Sequence, residues 1–336
     1  MTAFTYQKGV NLGGWLAQYD HALAAQPHFE TFLTEADFDQ IASWGADHVR
    51  VPFECGYDDA LSDAFLERCI QLCSARGMGV LLDLHMIRGQ VFDTALQINP
   101  VFLPENAATI EAVWERVARR FVSVGDALRF ELFNEAQDNT GYLWNALYQR
   151  LVKVIRQIDS QRVIYIGSNR MNSVFTLPSL HLLEDEHIVY NFHYYDPHPY
   201  THQFADFDEH MRVFQQRMHY PGPMPGLYPF MAAHPKYAVQ NAYLLFKQND
   251  ASLIHENLDE AHKFLQYTGR PLYCGEFGVI NNVPGTDAAG WVADMVAELR
   301  RLGIGYAYWS YKQMDFGLVD GQGHLLYPEL VRILFG

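Results

Sequence analysis

The chain is short of several things, and each shortage closes off a class of protein. No stretch of it is apolar for long enough to cross a bilayer. It holds four cysteines in 336 residues: Cys55, Cys69, Cys73 and Cys274. No pair has zinc-ligand spacing, and Cys69 and Cys73 fall four apart on one helical face, so all four read as reduced core residues. Basic side chains are outnumbered, 24 Lys and Arg against 39 Asp and Glu, which leaves a net charge of −15. That deficit argues against nucleic acid or an anionic membrane as partner. Gly13-Gly14 lacks the lysine and the helix start of a phosphate loop, and no Gly-x-Gly-x-x-Gly follows the first strand. Met1 to Gln7 carry neither a basic region nor an apolar run, so no signal peptide is read. The chain as written is expected to be cytoplasmic, or secreted if a leader has been removed.

What is abundant is apolar and aromatic: 49% hydrophobic and 14% aromatic, with 20 Tyr, 22 Phe and 6 Trp. That supplies a large core, and a surplus of Tyr and Trp also suits a cleft that stacks on flat apolar faces. Eight short apolar runs read as strands. They are Lys8 to Asn11, Asp47 to Pro52, Val80 to His85, Leu128 to Glu135, Arg162 to Gly167, Ile188 to Tyr195, Leu272 to Glu276 and Ile304 to Trp309. Helical spacing lies between most of them. Thr34-Glu35-Ala36-Asp37 is a capping-box start. Phe65, Cys69 and Cys73 share a face. So do Ile110, Val113, Trp114, Val117, Ala118 and Phe121, and then Leu143, Leu147, Leu151, Val154 and Ile158. The alternation favours an α/β fold, a single (β/α)8 TIM barrel spanning 1–336 as one domain, over an open sheet. One connection is long. The stretch from about 197 to 262, with the Pro- and aromatic-rich run Tyr220 to Phe230, reads as an insertion after strand six that flanks the cleft.

A barrel demands that polar residues gather where strands finish. Strand two is read to end at Arg50, strand three at His85, strand four at Asn134-Glu135, strand six at His193-Tyr194-Tyr195, strand seven at Glu276 and strand eight at Trp309. Glu135 and Glu276 are 141 positions apart and can meet only across one end of the barrel. Two carboxylates so placed suit hydrolysis of a glycoside with retention, one protonating the leaving oxygen and the other attacking the anomeric carbon. A raised pKa suits the first and a lowered one the second; Arg50 would keep Glu276 ionised. Asn134 can bond a sugar hydroxyl without adding charge, and Trp309 offers an apolar floor. The stretch His193 to His202 has three His and an Asp, but its prolines prevent a helix from aligning the imidazoles, so no metal is expected.

Asn11 to Trp15, His48 to Pro52, Leu82 to His85, Phe133-Asn134-Glu135, His193 to Tyr195, Gly275 to Gly278 and Tyr308-Trp309 together resemble glycoside hydrolase family 5, across nearly the whole chain. The resemblance implies Glu135 as acid/base and Glu276 as nucleophile. Arg50 would position Glu276, and Asn134 would hold the 2-hydroxyl of the reacting sugar. His193 and Tyr195 would bond the two carboxylates, and His85 and Trp309 would line the subsite of the cleaved sugar. It implies no cofactor and no metal, and a β-linked oligo- or polysaccharide as substrate, with β-1,4-glucan favoured. Exo-β-1,3-glucanase, β-mannanase, glycolipid glycosidase and a non-catalytic saccharide-binding barrel are the alternatives. The sequence departs from the family in Ala136, where Pro is common, and in Met86 to Gln90. The segments Asn11 to Leu16 and His28 to Phe38 resemble the fungal exo-β-1,3-glucanase branch, whereas Tyr308 to Lys312 does so less.

Overall fold

The computed structural model describes residues 5–19, 26–56, 59–88 and 100–336. Readings that fall on residues 1–4 and 89–90 lie outside them. Eight strands close on themselves in sequence order: β1 Lys8–Asn11, β2 His48–Cys55, β3 Gly79–Ile87, β4 Leu128–Glu131, β5 Ile164–Gly167, β6 Ile188–Tyr194, β7 Leu272–Phe277 and β8 Gly305–Tyr308. Every ladder is parallel, and β1 pairs with β8 to seal the barrel. The reason is in the composition of the strands. Both faces of each are covered, so outward residues such as Val49, Val80, Phe130 and Ile164 are apolar and fully buried under helices.

The helices follow their apolar stripes. In Pro104–Phe121 all six residues expected to face the barrel are buried, and the Trp114 Nε1–H donates to the Leu132 carbonyl at 2.9 Å. In Tyr142–Arg156 the buried face runs through Trp144, Leu147, Tyr148, Leu151 and Ile155, while Val154 lies to one side and Ile158 past the end. Trp144 shifts the face because its indole N–H reaches the Gly167 carbonyl, 2.8 Å away. Helix Glu35–Ser43 starts as expected, with the Thr34 N–H and hydroxyl both donating to Asp37 Oδ2. All four cysteines are buried and unpaired with one another by disulfide. Among the described residues, no helix is long and apolar enough to cross a membrane.

The inward-facing positions of the barrel change character along its length. At its lower end Tyr6, Leu81, Val163, Tyr165, Val189, Tyr273 and Ala307 close the floor. His48 stands there too, with Nδ1 2.5 Å from Asp47 and Nε2 2.6 Å from the Tyr273 hydroxyl. Above this floor the inward positions become charged.

Two strand ends differ from the sequence reading by three residues or more. β2 runs on through Pro52 to Cys55, so Arg50 lies within the strand rather than at its end. Proline signals a strand end because it cannot donate to a ladder; here Pro52 sits opposite Asp83, and a register shift follows between Phe53 and Glu54. β4 ends at Glu131, three residues before Asn134. Its neighbours still hold the extension: Leu132 N–H bonds the Tyr165 carbonyl at 3.1 Å and Asn134 N–H the Leu84 carbonyl at 2.9 Å.

Between β6 and β7, helix Ala251–Thr268 covers the sheet, its Phe264 ring against Tyr190 and Asn257 bonded to the Tyr194 hydroxyl. The chain that exceeds a plain strand–helix–strand unit therefore lies before residue 251. It begins beside the barrel mouth, where Ile280 N–H bonds the Thr201 carbonyl at 2.9 Å and the His202 ring packs on Phe316. Its Pro-rich run packs elsewhere: the Tyr220 hydroxyl bonds Asp294 on helix Gly285–Leu302 at 2.6 Å.

Candidate active site

Arg50 is the centre of the site. It is fully buried, and each of its five N–H groups has an acceptor. Nε and one Nη2 hydrogen grip Glu131 at 2.7 and 2.8 Å; the other Nη2 hydrogen reaches Asn134 Oδ1 at 2.9 Å. Nη1 donates to Asn11 Oδ1 at 2.9 Å and to Glu276 Oε1 at 2.7 Å. Asp83 Oδ2 stands 3.0 Å from Nη2. Lysine, with three donors and no planar fork, could not hold this set.

One guanidinium thus faces three buried carboxylates, and their pKa values record the imbalance. Burial raises Asp83 to about 7, against the pull of Arg50. Burial raises Glu131 and Glu276 as well, again with Arg50 opposing. Glu276 is therefore not lowered, as the sequence reading had it. It is less raised than Glu135, and that ordering is what a division of labour needs. Glu135 is pushed well above the carboxylate range by burial first and by the Glu276 charge second. The cause of the ordering is geometric: Arg50 touches Glu276, and Glu135 receives only an imidazole.

The two glutamates do meet. Carboxylate oxygens of Glu135 and Glu276, with a ring nitrogen of His193, all lie within 4.8 Å of one another. Glu276 Oε2 accepts from the Tyr195 hydroxyl at 3.1 Å. His193 Nδ1 is 3.1 Å from Glu135 Oε1 and 3.6 Å from Glu276 Oε2, so its hydrogen bond goes to Glu135. Burial holds the His193 imidazole well below its usual pKa, with Arg50 adding to the effect, so the ring is neutral. Glu135 has a φ of 49°, in the left-handed region that non-glycine residues avoid. It keeps 15% side-chain exposure against 6% for Glu276. Glu135 is thus the more accessible of the two from the mouth.

His85 and Trp309 form one wall, their rings stacked at 5.7 Å and 9°. His85 Nδ1 is 2.7 Å from Asp83 Oδ2 and its pKa is pushed down to about 4 by burial, so Nδ1 carries the proton and Nε2 presents a lone pair. Trp309 can lie where it does because position 13 is glycine: a Cβ there would stand 2.8 Å from the indole Cη2.

Every residue singled out from sequence (Arg50, His85, Asn134, Glu135, His193, Tyr195, Glu276 and Trp309) stands at this one mouth. The reading missed Asp83, Glu131, Asn11 and Asn191, which hold the others. Asn191 Nδ2 bonds Glu131 Oε1 at 2.8 Å, and its Oδ1 takes the Gly275 N–H at 2.8 Å. A signal is present, since Asp83 and His85, Arg129 and Glu131, and Asn191 and His193 each recur with period two, on β3, β4 and β6. The stretch His193 to His202 is divided: His198 and His202 stack on each other at 4.4 Å, and His198 pairs with Asp208 at 3.3 Å. Of its three histidines only His193 joins the glutamates.

A carboxylate pair this close at the C-terminal mouth of a closed (β/α)8 barrel, one member bound to a guanidinium and the other not, defines an O-glycosyl hydrolase. Residues 8–315 match the family model described as Cellulase (glycosyl hydrolase family 5), and the chain belongs to that family. Endoglucanase C of Acetivibrio thermocellus is 34% identical over 339 residues, covering 98% of both chains. Cellodextrinase A of Ruminococcus flavefaciens is 30% identical over 295 residues, covering 84% of this chain and 79% of its own. A solved structure of Thermotoga maritima Cel5A in complex with cellobiose shares the fold, with a TM-score of 0.77 at 22% identity over 98% of this chain and 97% of that one.

Proposed function

We propose that the protein hydrolyses internal β-1,4 linkages of glucan chains with retention, using Glu135 as acid/base and Glu276 as nucleophile. The separation of at most 4.8 Å between their carboxylates carries the reading. Oxygens this near each other favour the close pair of double displacement, roughly 5–5.5 Å between carboxyl groups, over the roughly 6.5–9.5 Å spacing that admits the water of an inverting reaction. The names of the two relatives, an endoglucanase and a cellodextrinase, support the substrate class.

Glu276 Oε2 attacks the anomeric carbon while Glu135 gives its proton to the departing oxygen. Arg50 and Tyr195 hold the nucleophile in line. Asn134 has its carbonyl fixed on Arg50 and its Nδ2 3.5 Å from His85 Nε2, which leaves the amide N–H to bond a hydroxyl of the reacting sugar. Glu135, now ionised, takes a proton from water, and that water displaces Glu276.

The test is product analysis on cellulose, laminarin, lichenan, mannan and aryl glycosides. Short cello-oligosaccharides of mixed length are expected from cellulose and lichenan, with turnover unchanged by a chelator. Predominant release from laminarin or mannan would overturn the linkage. Glu135→Gln should slow hydrolysis of cello-oligosaccharides by about 10³-fold, yet leave the glycosylation rate on a dinitrophenyl glycoside nearly intact, because that leaving group needs no proton.

A further inference from the structure

Behind His193, on the side away from the glutamates, lies Asn172. It is fully buried. Its Nδ2 is 3.1 Å from His193 Nε2, and its Oδ1 has no hydrogen-bond partner. Buried amides are normally satisfied at both ends, so one that meets a single imidazole nitrogen and nothing else invites a reason.

The chain takes an awkward path to put it there. Arg170, Met171 and Asn172 have φ of 51°, 61° and 53°, three left-handed residues in a row, none of them glycine. Gly167 makes the space: a Cβ there would lie 2.5 Å from Asn172 Oδ1. The same short segment is tied to the loop that carries Glu135. Met171 N–H bonds the Ala136 carbonyl at 3.2 Å, and Asp138 N–H bonds Asn169 Oδ1 at 2.9 Å. Ser173 forms a backbone bridge to His193 itself.

A neutral imidazole has one proton. If Nε2 accepts from the Asn172 amide, that proton sits on Nδ1, which is the nitrogen 3.1 Å from Glu135 Oε1. The opposite amide orientation would strand both Nδ2 hydrogens instead of one of them and the carbonyl oxygen, and a buried N–H left without an acceptor is the rarer orphan. We propose that Asn172 is a positioning residue: by donating to His193 Nε2 it fixes the imidazole as a donor to Glu135 Oε1, and so leaves the acidic proton of Glu135 on the other oxygen, free for the leaving group. The inference rests on Glu135 being the acid/base.

Glu135 is also faced by Glu276 from β7, Arg50 from β2, Asp83 from β3, Glu131 from β4 and the Tyr195 hydroxyl. None of these is changed by substitution at 172. Asn172→Ala removes the donor, frees the tautomer and weakens the bond to ionised Glu135, so the basic limb of the kcat/KM profile moves to higher pH. Asn172→Asp keeps the size and the tolerance of left-handed backbone. Its carboxylate draws a second proton onto the ring, and the imidazolium moves the same limb to lower pH.

The experiment measures kcat/KM against pH for both variants on cellotetraose and on dinitrophenyl β-cellobioside. Opposite shifts are expected, with a loss of about tenfold or more for Asn172→Ala on cellotetraose and little loss on the aryl substrate. Equal losses on both substrates, or shifts of one sign, would overturn the proposal and leave Asn172 a packing residue. Glu135→Gln is run beside them. If it shows no leaving-group dependence, the acid/base reading itself fails; if it does and the Asn172 variants do not, only the role of Asn172 falls.

Discussion

Glu276→Ala is expected to lose about five orders of magnitude in kcat on an aryl β-cellobioside, the scale seen when a nucleophile is removed from a preorganised site. The rest of the constellation remains, because Arg50 keeps Glu131, Asn134 and Asn11 as acceptors. Removing the side chain also leaves a hole the size of a small anion beside the guanidinium. Azide or formate should therefore restore part of the rate. Without a covalent ester there is one displacement instead of two, so the azide product should have the α configuration. A β-glycosyl azide, or a variant that keeps its turnover, would rule out Glu276 as nucleophile. Product configuration by proton NMR decides it.

Arg50→Met should cost more stability than any other single change at the mouth. It strips the counter-ion from Asp83, Glu131 and Glu276 together, and breaking one buried ion pair already costs about 3–5 kcal/mol. The loss should depend on pH with a definite sign. All three carboxylates have folded-state pKa values above their unfolded ones, Asp83 at about 7. A raised carboxylate contributes stability that is complete below the unfolded pKa and is lost as pH rises through the folded one. Taking Arg50 away raises the folded values further. The gap between variant and parent should thus be small near pH 4 and widen through pH 7 and above. Denaturant titrations at three pH values test this; a gap that narrows toward alkaline pH would contradict the charge balance described here.

The architecture and the mouth were legible in the chain for a physical reason. Parallel strands buried on both faces show as apolar runs, and a polar residue at the end of such a run has few explanations. Six such endings, read together, point Glu135 and Glu276 into one pocket. The supporting residues were harder to see. Arg50 was read as a strand end because Pro52 follows it, yet the ladder passes through that proline. Glu131 lay inside a run whose apolar partners drew the eye, although Arg129 and Glu131 alternate with Phe130 toward the interior. Asn172 gave no signal at all. Its position depends on three consecutive left-handed residues, a conformation that no periodicity announces.

The tyrosine- and histidine-lined floor has a consequence for the traffic of reactants. Among the described residues, Tyr6, Tyr165 and Tyr273 close the barrel from below, so the pocket that holds the glutamates opens at the rim above. In the double displacement proposed above, the water that reaches the sugar ester enters through the opening that the departing half of the chain has vacated. Hydrolysis is then a race at that rim between solvent and the next oligosaccharide, and crowded substrate tilts the outcome from chain shortening toward chain transfer.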